Sequence, residues 1–165
     1  MEEIEIPTEQ LQEAIKEKAE EGSWFMLVAI STALIAVFAA IAGLMAGHHS
    51  NEALIERIKA SDQWAYYQAK GIKGEIKALS AKSKDSAAVI KYKNEQVEIK
   101  KEAEKAEHLS EAHLASHILL ARAVTLFQIA IAISAIAILT RKKILWYTGL
   151  LFSLGGIVFF VLGLL

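Results

Sequence analysis

From Trp24 to Gly47 the chain carries no charged residue, and Ser31 and Thr32 are the only hydroxyl-bearing positions among Ala, Ile, Leu, Val and Phe. At ~1.5 Å per residue, about 20 residues cross the ~30 Å hydrocarbon layer of a bilayer, so this stretch predicts a first membrane-spanning helix. A second uncharged run covers Ala123 to Thr140, within a predicted span of 121–140, and places Thr125, Gln128 and Ser134 among Ala and Ile. After the basic link Arg141, Lys142, Lys143, a third apolar run covers 144–165. So short a link predicts that the second and third spans form a tight antiparallel pair.

Between the first two spans the pattern changes character. Residues 48–120 are charged, polar and free of proline, and their apolar positions step by threes and fours, as on one face of a helix. Ile55, Ile58, Ala65, Ala69, Ile72, Ile76 and Leu79 form one such seam, with Asp62 its one polar member. Val89, Tyr92, Ile99, Ala103, Ala106, His113 and Leu120 form a second, its gaps filled by Gln96, Ser110 and His117. The polar run 80–86 lies at the midpoint, so the segment predicts a long, coiled-coil-like antiparallel helical hairpin with its turn there. Gly71 and Gly74 predict a soft spot in the first arm rather than an end. Residues 1–23 are polar and acidic. Pro7 and Thr8 stand like a helix start, and Leu11 and Ile15 lie one turn apart, so a short amphipathic helix or a plain acidic tail both fit. The fold class is therefore all-α, an integral membrane protein of three transmembrane helices with the hairpin between the first and second.

Composition agrees with this segregation. Hydrophobic residues make up 54% of the 165 positions and charged residues 22%, too much of both for one mixed globular core. The net charge of −1 supplies no basic footprint for nucleic acid. The absence of cysteine excludes disulfides, thiolate metal sites and thiol nucleophiles. No stretch carries a catalytic or cofactor signature, and a non-enzymatic role is expected.

Basic residues near membrane ends choose the orientation. Lys16, Lys18 and the link 141–143 share one face of a three-span topology, against Arg57, Lys59, Lys105 and Arg122 on the other. Short loops respond to this rule more strongly than long domains, so the link is expected in the cytoplasm with the N-terminus, and the hairpin and C-terminus outside it.

Candidate contact residues fall into three groups. Ala39, Gly43 and Gly47 in the first span, with Gly149 and Ser153 in the third, have the small-residue spacing that lets helices approach closely in lipid, and they suggest a homo-oligomer. Small residues are also ordinary in membrane helices. Pairing the hairpin symmetrically about its midpoint sets His113 opposite Ile55 and His117 opposite Asn51, within a turn of Glu52 and Glu56. Two imidazoles and two carboxylates so placed could hold a divalent metal, with His48 and His49 nearby, or be mere polar fillers. On the same pairing Asp62 falls near Lys105 and Ala106, as an ion pair setting register or as a partner contact. Trp64, Tyr66 and Tyr67 could present an aromatic patch to a protein partner or pack over the adjacent helix.

The segments SNEALIERIKASDQWAYYQAKGIK from Ser50 to Lys73, EAHLASHILLARAVTLFQIAIAI from Glu111 to Ile133 and LTRKKILWY from Leu139 to Tyr147 resemble an uncharacterised bacterial membrane protein family, domain of unknown function 4337. The resemblance covers nearly the whole chain. It implies a location in the bacterial inner membrane and the architecture derived above, and it brings no activity, cofactor or functional residues. Function is thus expected to be that of a membrane scaffold or interaction protein. The alternatives are a small homo-oligomeric channel with Gln128, Thr125 and Ser134 on a shared axis, and a metal-responsive sensor built on Glu52, Glu56, His113 and His117.

Overall fold

The computed structural model describes the backbone of residues 8–80 and 86–165, and side chains for 22–79 and 87–165. These residues form three helices, α1 (Thr8–Ser80), α2 (Ser86–Thr140) and α3 (Lys143–Leu164), and the described residues contain no strand. The long uninterrupted α1 follows from composition, because the only proline, Pro7, precedes it and nothing after Thr8 removes a backbone donor. Gly71 and Gly74 lie within α1, which continues through both. The side chains of the Leu11 and Ile15 stripe are not among those described, and residues 81–85, within the turn expected at 80–86, lie outside the described residues.

Each helix contains a stretch long and apolar enough to cross a membrane. Only 17%, 28% and 17% of the most apolar windows of α1, α2 and α3 is buried within the protein, so most of that surface faces outward.

The chain divides into two compact units. The first takes α1 as far as Gly43 together with Arg122–Val161. Its core joins Ile35 and Ala42 of α1 to Ala123, Phe127 and Ala130 of α2, with Phe152, Phe159 and Phe160 of α3 against them. Glycine permits the closest approaches. A Cβ at Gly156 would lie 2.7 Å from two atoms of the Phe127 ring, and one at Gly149 would lie 3.0 Å from Ser134 Oγ and 3.1 Å from the Ala130 carbonyl. The Trp146 indole N–H donates to Ser31 Oγ at 3.1 Å, tying α3 to α1, while the Ser31 hydroxyl donates to the Val28 carbonyl at 2.9 Å. The link is one residue shorter than the basic triplet suggests, because Lys143 already belongs to α3. Arg141 turns the chain with φ of 54°, a left-handed backbone usually given to glycine.

The second unit takes Leu44–Ala121 with Leu162–Leu165. Its contacts pair rising α1 numbers with falling α2 numbers: Ala46 with His117, His49 with His113, Ala53 with Ser110, Arg57 with Glu107, Tyr67 with Gln96, Lys70 with Glu95. This register differs from symmetric pairing about the midpoint by more than one helical turn. Hydrogen bonds hold it: the Ser110 hydroxyl donates to the Ala53 carbonyl at 2.8 Å, and the Gln96 amide donates to the Tyr67 carbonyl at 3.1 Å. On α2 the packed side is the seam read from sequence, with Ile99, Ala103, Ala106, Ser110 and Leu120 buried. On α1 it is a different face, with Ala53 and Ala60 buried and Trp64, Tyr67, Lys70, Gly71 and Gly74 half-buried. The aliphatic seam expected to make that contact is exposed, including Ile55, Ile58, Ile72 and Leu79. Small residues explain the choice, because Ala53, Ala60, Ala103 and Ala106 let two backbones come close enough for side-chain donors to reach the carbonyls of the other helix.

Candidate functional site

Polar chemistry gathers in the second unit where α1 carries His48 and His49 and α2 carries His113 and His117. The Nδ1 atoms of His49 and His113 lie 3.0 Å apart, with ring centroids 5.3 Å apart. One ring must therefore donate an N–H and the other accept it, so the bond cannot form when both are imidazolium. His48 meets His49 edge-on, with centroids 5.6 Å apart. His117 Nδ1 is 2.8 Å from the Ala46 carbonyl, which can only accept, and this fixes the proton of His117 on Nδ1. Burial holds the His49 imidazole below its ordinary value of 6.5. Nearby His113 and His48 act in the same direction, Glu52 opposes them, and His117 adds a smaller lowering.

The difference in register, five residues at His117 and six at His113, decides the fate of the expected metal set. His113 faces His49 rather than Ile55, and His117 reaches Ala46 rather than Asn51. Glu56 forms an ion pair with Lys59 on its own helix. Glu52 is near enough to His49 to act on its charge. Glu52, Glu56, His113 and His117 are thus not drawn into one set, and among the described residues no group of three or more His, Asp or Glu is placed to hold a metal ion. What the arrangement offers is a pair of imidazoles sharing one proton. Sequence reasoning noted His49 only as a neighbour, because midpoint symmetry hid its true partner.

The other singled-out residues are dispersed. Asp62 is exposed on the side of α1 turned away from α2, rather than beside Lys105 and Ala106. Trp64 packs edge-on against Tyr67, with centroids 5.7 Å apart and planes at 80°, whereas Tyr66 is 49% exposed. The aromatic trio is therefore split between a packed pair and one outward ring. Lys70, not anticipated from sequence, ties the arms together: its ammonium donates to Glu95 and lies 5.2 Å and 5.4 Å from the ring centroids of Tyr66 and Tyr92. The Glu95 carboxylate, and then the Tyr66 hydroxyl, raise the Lys70 ammonium above its usual range, while Lys70 lowers the Glu95 carboxyl.

Among the helix-packing candidates, Gly149 and Ser153 are buried inside the first unit and Ala39 is half-buried against its core. A Cβ at Gly43 would lie 3.9 Å from Val124 Cγ2, and one at Gly47 would meet nothing within 4 Å. Gly156 and Gly163, not singled out from sequence, leave less room than any of these, since a Cβ at Gly163 would lie 2.8 Å from Leu120 Cγ. Thr125 and Gln128 are exposed on α2, whereas Ser134 is buried with a hydroxyl that finds no hydrogen-bond partner among the described residues. The three do not share one face.

No curated protein and no solved structure matches the chain. A family model described as domain of unknown function (DUF4337) matches residues 24–165, 142 of the 165 residues, and the chain belongs to that family.

Proposed function

We propose that the protein is a non-enzymatic scaffold of the bacterial inner membrane that self-associates and presents an antiparallel helical hairpin to a partner. The observation that carries this reading is the outward apolar surface of all three helices, whose most apolar windows are no more than 28% buried. Water would penalise that surface at ~25 cal/mol per Å², whereas lipid tails accept it. Gln128 supports self-association. It is exposed near the middle of the second span, and an amide there needs a hydrogen-bonding neighbour that lipid cannot provide.

The basic link supports an orientation with the N-terminus inside and the hairpin and C-terminus outside the cytoplasm. Arg141 occupies a backbone conformation better suited to glycine, so its charge is kept at a conformational cost of ~1 kcal/mol. The antiparallel order of contacts along the second unit supports the hairpin. The same exposed Thr125 and Gln128 favour a channel as the second reading, in which copies surround a polar axis.

Alkaline carbonate extraction with reporters fused at the two ends and inside the hairpin tests the placement. The chain should stay in the pellet, with the N-terminal reporter cytoplasmic and the other two external. Release into the supernatant, or both ends on one side, would overturn it. Flux in liposomes separates scaffold from channel, since a scaffold leaves a trapped dye or ion gradient intact.

A further inference from the structure

The face of α1 that α2 does not use is itself organised. Ile55, Asp62, Ala69 and Ile76 alternate with Ile58, Ala65, Ile72 and Leu79 at strict three-and-four spacing, the a and d positions of a heptad repeat. Ala53, Ala60, Tyr67 and Gly74, which turn toward α2, occupy the f positions directly opposite. Every residue of the stripe is exposed, Ile58 by 53%, Ile72 by 58% and Leu79 by 89%. The outward side of α2 has no equivalent, since charged residues separate its exposed Ile90, Val97 and Leu109.

We infer that this stripe is the seat of a second copy of the chain, paired through α1 with α1 as a parallel, in-register coiled coil. The inference rests on the membrane reading above for its orientation. A repeat of period 3.5 matches another helix that supercoils with it, and a straight helix or a flat lipid surface has no use for that period. The area is sufficient: with Tyr66 beside it, the stripe exposes on the order of 700 Å² per copy, near the ~800 Å² that a standard interface takes from each partner.

The shared membrane anchor selects the direction, and the charges on the flanks agree with it. Antiparallel pairing about the centre of the stripe sets Lys59 beside Lys73 of the second copy, twice over. Parallel pairing instead sets Ser61 by Tyr66 and Gln68 by Lys73, with no like charges on the flanks. Two copies anchored in one membrane with one orientation leave it in the same direction. The cost of the parallel arrangement is Asp62 against Asp62, a single polar a position that fixes register and holds the affinity down.

The chain has no cysteine, so single-cysteine variants report the contact directly. In native membranes under mild oxidation, Ile58→Cys and Ile72→Cys should each give a disulfide-linked dimer, because the d positions of a parallel pair bring Cα atoms within the ~7 Å a disulfide spans. Lys93→Cys, exposed on α2, should stay monomeric. Adding Asp62→Ile to Ile58→Cys should raise the linked fraction at limiting expression by about tenfold, the effect of burying one aliphatic side chain in place of a carboxylate. Ile72→Glu in the same background should abolish it. A linked Lys93→Cys variant at equal yield, or an Ile58→Cys variant that links only to a co-expressed Ile76→Cys copy, would overturn the parallel pair. Carbonate-resistant chain with no link at position 58 or 72 would sink this inference alone, whereas carbonate release would sink the membrane reading.

Discussion

Substituting Gly156 by alanine adds one methyl group where the first unit has least room. Its Cβ would lie 2.7, 2.7 and 3.2 Å from three atoms of the Phe127 ring, well inside the ~3.5 Å at which carbon atoms stop repelling. The ring cannot swing aside, because Phe127 is fully buried and packed in the aromatic and alanine core. Overpacking of this kind costs about 1–3 kcal/mol, and alanine in a helix interior recovers at most ~1 kcal/mol over glycine. The net expectation is a loss of about 1–2 kcal/mol. Unfolding by SDS titration in mixed micelles, followed by circular dichroism and by the fluorescence of Trp146, measures it. Gly47→Ala is the matched control, since open space surrounds that glycine, and it should leave stability unchanged or raise it by up to ~1 kcal/mol. Combining Gly156→Ala with Phe127→Leu should recover at least ~1 kcal/mol in a double-mutant cycle. The reasoning fails if Gly156→Ala unfolds like the parent, or if the two changes are additive within ~0.5 kcal/mol.

Acid should loosen the histidine pair. The pKa of His49 is depressed in the folded state, so the unfolded chain takes up the proton first and stability falls as pH drops below the ordinary value of 6.5. Protection factors of the second unit against hydrogen exchange, corrected for the intrinsic rate at each pH, should fall between pH 7.5 and 5.5, and His113→Leu should flatten that dependence. The Lys70 and Glu95 pair has the opposite linkages at its two ends. Its contribution should be present between the ordinary carboxylate and ammonium values of 4.5 and 10.5, fading as acid protonates Glu95 or base deprotonates Lys70, and Glu95→Gln should remove both slopes in a melting series. Arg141→Gly should stabilise the α2–α3 turn by about 1 kcal/mol in SDS unfolding, because it relieves a left-handed backbone, while raising the fraction of inverted chains read by the end reporters. Ala60→Leu should destabilise the second unit by about 1–3 kcal/mol, whereas Ile58→Ala, measured in micelles dilute enough to be monomeric, should cost less than ~0.5 kcal/mol; the reverse order would show that the aliphatic seam faces α2 after all.

Three stretches apolar enough to cross a membrane and the helix break at Arg141 were legible because absence of charge over about 20 residues, and a cluster of basic residues, act locally. The α2 seam was legible for the same reason: that helix has one apolar stripe, and Ile99, Ala103 and Ala106 lie on it. The α1 seam was misread because apolarity alone ranks Ile58 above Ala60, and hydrophobic periodicity measures transfer free energy, not how closely two backbones pass. Register was illegible too. It depends on individual bonds such as Ser110 to the Ala53 carbonyl and Gln96 to the Tyr67 carbonyl, and backbone acceptors leave no trace in side-chain patterns. The register error of six residues there moved His113 from His49 to Ile55 and drew a metal set that the geometry disperses. Gly156 was passed over because a glycine is informative only when the ring opposite it is known.

A helix with two usable faces must choose which one to close first, and distance decides before hydrophobicity does. A contact within one chain forms at high effective concentration, so it need not bury the most apolar surface; it needs the shape that seats donors on carbonyls. Alanine and glycine on α1 meet that need, as Ala53, Ala60 and Gly74 show. In the proposed pairing the larger side chains serve a contact between chains, where effective concentration is low and each buried isoleucine would add about 1.5–3 kcal/mol toward overcoming the entropy of association. In that proposed pairing Asp62 would keep the contact between chains weaker than an all-aliphatic stripe could make it, so association would respond to how many copies are present.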